Sequence, residues 1–581
     1  MSKLSVDQKS VSALINQTTT TSFLIPDYQR PYAWTEDECA TLWDDIEAFC
    51  IPEGNADAFD PSDEYFLGPI VTFRNDAGQL EVIDGQQRLT TLMLLLRAFY
   101  EKFQYMQDPN SKTTFREIAQ CIWRTTEFGD RIPDQLRIDS EVASDDDKDE
   151  FRFILNEGKI PDGAHSAYAK NYSYFEWRVD RFINEYPSYT ARLANRILKK
   201  VILLPIEAES QDTALRIFST LNDRGLPLAD ADIFKSQFYK YFTAKNEKEG
   251  FIERWKALEE TATRVFSHTR GNNNPMDELF TRYMYYQRAL KGIRTTTTEG
   301  LRDFYERDSY ALLKKEESLE DLESLVAFWD RVDQQEEFSE RVNKRLYVLS
   351  YAPNSMWTYI VSVYFLKNRD ENGNLEEEKF FDFLALITGF IFAYAVHRPG
   401  VNALRTPLFP AMISIVNDEK VTFENYRFDR QQLIEQLNSF TFSNNRPITK
   451  SMVLWWAFEQ PSQTVLDNDT KLEIEHIYSR ARANKENSLS SKGLLESLGN
   501  KAFLEKNINI RASDYRFEDK TRYYTGYTTA NGVEKAGTKN QELQSIASQQ
   551  EDFTEENIVE RKSAIINGLI DYLDQWNLIE N

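Results

Sequence analysis

The residues in this chain best suited to chemistry are a histidine beside a carboxylate and two later asparagines. Glu475 and His476 end an alternating stretch, LEIEH, and Asn500 and Asn509 follow. A histidine beside an acid is suited to act as a general base near pH 7. A carboxylate and an asparagine carbonyl can bind a hard divalent cation, and this combination suits phosphodiester cleavage. The simpler alternative is a histidine at the end of a strand, capped by its neighbour.

The segment that holds the two asparagines is basic, although the whole chain is acidic. Residues 479–522 carry ten Lys or Arg and six Asp or Glu, whereas the chain has a net charge of −24 and a pI near 4.9. This overall charge argues against non-specific binding of nucleic acid by the whole surface. We therefore expect DNA to bind at the local reversal of charge.

A second set of residues, Asp84 to Arg88, stands between a short β-type run and a helical run. Such a junction points backbone N–H groups and the positive end of the helix dipole at a ligand, which favours phosphate. Gly85 allows close approach to the backbone, Gln86 and Gln87 supply neutral hydrogen bonds, and Arg88 supplies a planar charge suited to phosphate. The alternative is a helix whose first residues happen to be polar.

Two further segments carry polar residues that could line a binding site. Residues 23–34 contain two prolines that keep the segment extended, and Gln29 and Arg30 lie there among aromatic residues. An arginine flanked by aromatics in an extended segment favours a binding surface over a solvated turn. Asn222 and Arg224 follow the end of a predicted helix, and the pattern alone fits ordinary cap and surface residues.

The elements that position these residues can be predicted from local patterns. A hairpin over residues 66–83 would deliver the chain into the Asp84-Gly85 turn, and VILLPI at 201–206 is predicted to be a strand. Thr35 and Glu38 predict a capping box for the helix that follows the extended segment. The remaining predicted helical regions are 98–200, 245–420 and 553–576, the last capped by Thr554.

Length and composition limit the class of protein. A chain of 581 residues predicts about three or four domains, and 41% hydrophobic residues can fill their cores. Three cysteines without a C-x-x-C pair predict a reducing compartment and argue against a cysteine zinc site. The N-terminus lacks an apolar signal core, and the longest apolar run, 383–396, is too short to span a bilayer. We expect a soluble, cytoplasmic protein with no membrane partner.

Several of these segments together resemble a known family. IPDYQRPYAW, VIDGQQRLTTL and IFSTLNDRGLPLADADIFK resemble the N-terminal domain of GmrSD-type modification-dependent restriction proteins and of related phage-defence proteins that sense phosphorothioate or glucosylated DNA. EIEHI, LGN and NIN, followed by FEDKTRYY, resemble the C-terminal HNH (His-Me finger, ββα-metal) nuclease domain of that family. The resemblance covers roughly residues 10–240 and 430–580.

The resemblance implies an α+β, multidomain, helix-rich fold. Residues 1–240 would form a ParB/sulfiredoxin-like domain that binds and hydrolyses nucleoside triphosphates. Residues 241–425 would form a helical connecting domain, and residues 426–581 the HNH nuclease domain.

The resemblance also implies the role of each site residue. The nuclease site would use His476 as general base, Glu475 and Asn509 as ligands of Mg²⁺ or Mn²⁺, and Asn500 to brace the ββα loop, so that the catalytic set is His476, Asn500 and Asn509. The site for GTP, CTP, UTP or ATP would be lined by Gln29, Arg30, Asp84, Gly85, Gln86, Gln87 and Arg88, with Asn222 and Arg224 beside it.

Two positions of the nuclease segment depart from the pattern of the family. A proline is common soon after the histidine, but Ile477 is followed here by Tyr478, Ser479 and Arg480. An apolar residue is usual after Gly-Asn, but Lys501 stands there. Neither departure removes a catalytic group.

We therefore expect a nucleotide-regulated, metal-dependent DNA endonuclease that acts on foreign, modified phage DNA, as in type IV restriction. A homodimer would suit double-strand cutting, because one HNH site cuts one strand. The alternative is a nucleotide-switched DNA-binding or regulatory protein with a weak or inactive HNH domain, which would lack metal-dependent nicking. A third hypothesis, a toxin-like RNase, requires a preference for RNA over DNA.

Overall fold

The computed structural model describes residues 8–16, 22–75, 77–128, 130–142, 147–210, 213–214, 217, 229–267, 274–400 and 402–580. The chain divides into two compact units, Met1–Lys256 and Ala257–Asn581, with the boundary inside the helix Lys248–Phe266. Both units contain helices and small sheets, so the predicted helix-rich α+β, multidomain class is confirmed. The domain limits at 240 and 425 stay predictions.

The first unit contains a six-stranded mixed sheet. Its strands lie in the spatial order Lys9–Ser10, Val201–Ala208, Tyr65–Arg74, Leu80–Asp84, Phe23–Ile25 and Ile138–Ser140. The predicted hairpin is the antiparallel pair Tyr65–Arg74 and Leu80–Asp84, and the predicted VILLPI strand pairs in parallel with Tyr65–Arg74. A parallel strand inside a sheet is buried on both faces, which accounts for its continuous apolar sequence.

Helices of the first unit share a hydrophobic core with this sheet. They are Val11–Ile15, Glu36–Cys50, Gln86–Phe103, Pro109–Ile122, Lys148–Glu157, Ala167–Glu185 and Thr190–Lys200; the unit also contains Asp230–Ala244 and the start of Lys248–Phe266. The predicted capping box is present, because Thr35 and Glu38 bond each other's backbone at the start of Glu36–Cys50. Two short strands, Trp123–Thr125 and Arg131–Leu136, interrupt the region predicted to be mainly helical.

The N-terminal part of the second unit is helical. Its helices are Pro275–Leu290, Leu301–Tyr310, Glu316–Gln334, Glu340–Ser350, Met356–Asn368, Glu377–His397, Arg405–Val416, Arg430–Ser439 and Pro447–Phe458. Among the described residues, Glu377–His397 alone is long and apolar enough to cross a membrane, but 78% of its apolar 18-residue stretch is buried inside the fold. Such burial is typical of the core helix of a soluble protein, as the sequence predicts for this run.

The C-terminal part of the second unit contains a strand pair followed by a helix. Leu472–His476 pairs antiparallel with Lys501–Glu505, and the helix Lys506–Ala512 follows directly. The connection between the strands holds the helix Arg480–Glu486 and the 3-10 turns Lys492–Glu496 and Leu498–Asn500. The later elements are Phe517–Thr525, Gly526–Thr528, Glu534–Ala536, Gln541–Gln549 and Glu555–Gln575, the last with a capping box at Thr554.

Candidate active site

His476 lies directly opposite Lys501 in the antiparallel strand pair. The Lys501 side chain is fully buried, and its Nζ lies 2.6 Å from His476 Nε2. The same ammonium donates to Asn444 Oδ1 at 2.6 Å and to Glu496 Oε2 at 2.7 Å. The lysine that departs from the pattern of the family is therefore hydrogen-bonded to the predicted general base.

The imidazole of His476 is held neutral. Burial, together with the positive charges of Lys501 and Arg480, lowers the pKa of His476 to about 4. A neutral ring whose Nε2 accepts from Lys501 cannot also donate from that nitrogen to Glu496 Oε1, 3.1 Å away. Burial also lowers the pKa of Lys501 to about 8, against the opposing effect of Glu496. A proton from water can reach Nε2 only after Lys501 moves away from it.

Glu475 has a different set of partners from His476, although the two residues are adjacent in sequence. Successive side chains of a strand point to opposite faces, so the two groups separate. The buried Glu475 carboxylate accepts from Lys520 Nζ at 2.7 Å and from Tyr524 Oη at 2.5 Å. Lys520 also donates to the backbone carbonyl of His476 at 2.8 Å. The charge of Glu475 is therefore compensated inside the fold.

Asn509 contacts a different carboxylate from the one predicted beside it. It lies on the helix Lys506–Ala512, and its Nδ2 donates to Glu473 Oε2 at 2.6 Å. Glu473 precedes Glu475 by two residues and so shares its face of the strand. Asn509 is therefore hydrogen-bonded to Glu473, whereas Glu475 is hydrogen-bonded to Lys520 and Tyr524.

The donor atoms around Asn509 fit a hard cation. A carboxylate and an amide oxygen are the ligand types that Mg²⁺ and Mn²⁺ prefer. Glu473 is half-buried, and its carboxylate contacts the amide of Asn509 rather than an internal lysine. Among the residues that the structure describes, no group of three or more His, Cys, Asp or Glu side chains could hold a metal ion. Any cation here would therefore depend on few protein ligands and on water.

Asn500 connects the two sides of the loop between the strands. Its Oδ1 accepts from the Tyr478 backbone N–H at 2.6 Å, and its Nδ2 donates to the carbonyls of Tyr478 and Leu495 at 3.1 Å each. The side chain is fully buried, so these bonds have no competition from water. These are the contacts that a residue bracing the loop would make.

Asn500→Ala is expected to lower the free energy of unfolding by about 2–5 kcal/mol, because it leaves buried backbone groups of Tyr478 and Leu495 unpaired. Urea or thermal unfolding of the full chain measures the change. Asn438→Ala is the matched control, since the exposed Asn438 amide donates to the Ile434 carbonyl of its own helix; we expect a change within about 0.5 kcal/mol there. Equal losses in the two variants would contradict the bracing role.

The loop is also held from the helix Glu555–Gln575. Arg561 Nη1 donates to the carbonyls of Leu498, Gly499 and Lys501 at 2.7–3.1 Å. A Cβ atom at Gly499 would lie 2.0 Å from the Ile558 carbonyl oxygen, so only glycine permits this close approach. The geometry around Asn500 therefore depends on a helix far along the chain.

In the first unit, the predicted nucleotide-binding residues lie at the start of the helix Gln86–Phe103. Gly85 is the N-cap residue, with φ +91°. A Cβ atom there would lie 2.3 Å from Ile70 Cδ1, so glycine is required both by conformation and by space. The first N–H groups of this long helix have no intrahelical acceptor, and they create a positive end.

Two of the predicted glutamines bond the backbone of their own unit. Gln29 Nε2 donates to two carbonyls of the strand Leu80–Asp84 at 3.2 and 3.3 Å. Gln87 bonds the backbone of residues 31–34 through both atoms of its amide at 2.8–3.3 Å. Gln29 fastens the extended segment to this strand and Gln87 fastens it to the start of the helix, so these side chains position the site more than they line it.

Two of the remaining predicted residues carry buried polar atoms without partners in the described part of the chain. Arg30 Nε and Gln86 Oε1 are buried and have no hydrogen-bond partner among the described residues. Arg88 Nη2 lies 3.3 Å from Asp84 Oδ2, and burial raises the pKa of Asp84 against the effect of Arg88. Unsatisfied buried polar atoms beside the positive end of a helix fit the binding of an anion. Asn222 and Arg224 lie outside the described residues.

Two family models match this chain. The model described as "GmrSD restriction endonuclease, N-terminal domain" matches residues 11–239, and "GmrSD restriction endonucleases, C-terminal domain" matches residues 428–567. No curated protein matches the chain. The two matched ranges contain the two candidate sites, lie in the order expected from the resemblance, and together span more than half of the sequence. The chain therefore belongs to the GmrSD family of restriction endonucleases, DNA-cleaving hydrolases of phage defence.

Proposed function

We propose that this endonuclease is a metal-dependent HNH enzyme whose action on modified phage DNA is gated by a nucleoside triphosphate. The observation that carries the proposal is the strand pair Leu472–His476 and Lys501–Glu505 followed by the helix Lys506–Ala512. His476 ends the first of these strands, Asn500 directly precedes the second, and Asn509 lies on the helix. These positions support the predicted roles of His476 as general base, Asn500 as brace of the loop and Asn509 as metal ligand.

The roles of the side chains follow from their contacts. His476 would accept a proton from the attacking water at Nε2, after Lys501 Nζ moves to its other partners, Glu496 and Asn444. Asn500 would keep the loop in place during this step. Asn509 and Glu473, which contact each other, are proposed metal ligands, and Glu475 would join them after Lys520 and Tyr524 release its carboxylate. Mg²⁺ or Mn²⁺ would supply stabilisation of the charge that develops on the phosphate.

The surface around this unit supports DNA binding. Arg480, Lys492, Lys506 and Arg516 are exposed, and Ile510, 64% exposed, lies on the helix that carries Asn509. Exposed cations neutralise phosphates, and exposed apolar groups can contact sugars and bases. Two other cations of the basic segment, Lys501 and Lys520, are buried against the site and contribute nothing to docking.

We propose that the first unit binds and hydrolyses a nucleoside triphosphate, and that the protein acts in the cytoplasm. Arg30 and Gln86 offer unpartnered buried atoms, and Arg88 brings a guanidinium to the start of the same helix. A bound triphosphate would satisfy these groups and separate Arg88 from Asp84. The nucleotide state would then control cleavage by the nuclease. If both DNA strands are cut, the enzyme would act as a homodimer.

Plasmid nicking tests the proposal. Supercoiled DNA, unmodified or glucosylated, is incubated with the full chain and Mg²⁺ or Mn²⁺, with and without GTP, CTP, UTP or ATP. We expect nicking that requires the metal ion and is faster on the modified plasmid. The rate of nicking should change at least tenfold with one of the nucleotides. Nicking that ignores every nucleotide would refute the gating, and nicking without added metal in EDTA would refute the HNH chemistry.

A regulatory role is favoured as a second candidate by two contacts. Lys501 occupies the Nε2 lone pair of His476, and Lys520 compensates Glu475. If the lysines keep these positions in the presence of DNA, the chain would bind DNA under nucleotide control without cutting it. Nucleotide hydrolysis and DNA binding without nicking under any condition would favour this alternative.

A further inference from the structure

A cavity of about 440 Å³ lies among five helices of the second unit, away from the predicted nuclease residues. These helices are the end of Lys248–Phe266, Pro275–Leu290, Glu316–Gln334, Glu340–Ser350 and Met356–Asn368. Arg282, Trp329, Asn343 and Trp357, all buried, line its interior, and Ser350 and Ser355, both exposed, lie at its mouth. The volume falls within the roughly 300–1,000 Å³ of small-molecule sites.

Arg282 brings a hydrogen-bond donor into this cavity. The residue is 3% exposed, and its Nε donates to Glu278 Oε1 at 2.9 Å. The guanidinium lies 4.3 Å from the Phe266 ring centre and 4.2 Å from that of Trp329. These contacts fix the group rigidly, yet Nη1 is buried without a hydrogen-bond partner among the described residues. A ligand with an acceptor atom would supply the missing hydrogen-bond partner of Nη1.

Asn343 brings an acceptor to the same cavity. Its Nδ2 donates to the carbonyls of Gln335 and Phe338 at 3.1 and 3.2 Å, which fixes the orientation of the amide. Its Oδ1 is buried and has no partner in the part of the chain that the structure describes. Buried polar atoms are nearly always paired, so a donor and an acceptor left open in one cavity indicate a ligand that carries both complements.

The charges around the cavity favour a neutral ligand. The buried Glu278 compensates the charge of Arg282, and the exposed Asp333 adds a second carboxylate to the residues that line the cavity. An anion would therefore meet little net positive charge. The indoles of Trp329 and Trp357 pack edge to face, with ring centres 5.5 Å apart and planes at 73°, and give the cavity an aromatic wall, which favours a ligand with an aromatic ring.

We infer that this cavity binds a nucleobase: a neutral, planar heterocycle whose carbonyl or ring nitrogen accepts from Arg282 Nη1 and whose N–H group donates to Asn343 Oδ1. The base could belong to a nucleotide turned out of a DNA strand or to a free nucleoside, since both present the same edge. This site is separate from the cleavage and triphosphate sites proposed above.

Two binding measurements on the full chain test the inference and separate the two sources. The first is calorimetry with deoxycytidine, 5-hydroxymethyldeoxycytidine, deoxyguanosine, deoxyadenosine and thymidine, in the absence of metal and triphosphate. The second is the fluorescence of duplexes containing 2-aminopurine, which rises when the base leaves the stack. Either response supports the cavity as a nucleobase site, and the arm that responds identifies the source.

Substitutions at the mouth assign the binding to this cavity. Ser350→Trp and Ser355→Trp each place an indole at an exposed lining position, and we expect at least tenfold weaker binding in both. Ser563→Trp is the matched control, because Ser563 is also an exposed helical serine whose hydroxyl donates to a backbone carbonyl. Arg282→Lys, which keeps the charge beside Glu278 and removes Nη1, is expected to weaken binding similarly.

Two results would overturn the inference. One is the absence of both a calorimetric signal and a 2-aminopurine response in the wild type. The other is binding that neither mouth variant alters in a protein whose circular dichroism is unchanged. Because the nucleoside arm requires neither DNA cleavage nor triphosphate, failure of the proposed nuclease function would not affect it.

Discussion

His476→Ala is expected to lower the rate of plasmid nicking in Mg²⁺ or Mn²⁺ by about 10²–10⁴-fold, the usual contribution of a general base. The expectation rests on the position of the imidazole at the end of Leu472–His476 and on its neutral state. DNA binding by the variant, measured by fluorescence anisotropy, should stay within about twofold of the wild type, because the buried His476 offers little surface to DNA.

A histidine outside the site provides the control for this variant. His397 ends the helix Glu377–His397, with its Nδ1 3.1 Å from Gln436 Oε1, and His397→Ala should keep full nicking activity. The pH profile adds a second readout. Burial is the largest cause of the lowered pKa of His476 and persists after Lys501 moves away from Nε2, so the loss of rate on acidification should have its midpoint below the ordinary histidine pKa of about 6.5. Nicking unchanged in His476→Ala would show that another group is the base.

Arg88→Ala is expected to reduce nucleoside triphosphate hydrolysis at least about 100-fold, the loss typical of removing a cation that stabilises developing phosphoryl charge. Arg88 lies in the first turn of Gln86–Phe103 beside Asp84, where burial raises the pKa of the carboxyl. Without the Arg88 guanidinium, the site would keep the acidic group of Asp84 and lose the cation paired with it, so that Arg30 alone would remain as a fixed positive charge. Release of inorganic phosphate, followed for each nucleotide, measures the effect.

Arg74→Ala is the matched control for the nucleotide site. Arg74 ends the neighbouring strand Tyr65–Arg74 and pairs with Glu207 at the surface, so its loss should leave hydrolysis within about twofold. Arg88→Lys keeps a charge but loses the planar donor pair, and we expect an intermediate rate. Equal rates of hydrolysis in Arg88→Ala and the wild type would show that the start of the helix Gln86–Phe103 takes no part in the reaction.

Local signals in the sequence predicted much of the fold. The hairpin that leads to Asp84, the capping box of Thr35 and Glu38, and the strand that ends at His476 all occur where the pattern places them. Each depends on residues close together in the chain, so turn chemistry and periodicity are sufficient. The resemblance to GmrSD proteins is confirmed by matches at both ends of the chain.

Contacts between distant residues could not be predicted in the same way. The register of the strand pair sets Lys501 against His476, and the sequence alone does not give the register across a long connection. The partners of Glu475 and Asn509 likewise depend on strand faces and on the position of Lys520. Alternation along LEIEH could have indicated that Glu473, not His476, shares a face with Glu475.

The contact of Arg561 with the loop around Asn500 has a consequence for synthesis of the enzyme. A ribosome finishes both strands and the helix Lys506–Ala512 well before it makes the helix Glu555–Gln575, which holds Leu498 and Gly499 in place. Until that helix emerges, the loop lacks the three hydrogen bonds that Arg561 donates to it. Copies left incomplete by premature termination would lack the same support, so we expect the predicted nuclease site to be less ordered in them than in the finished chain.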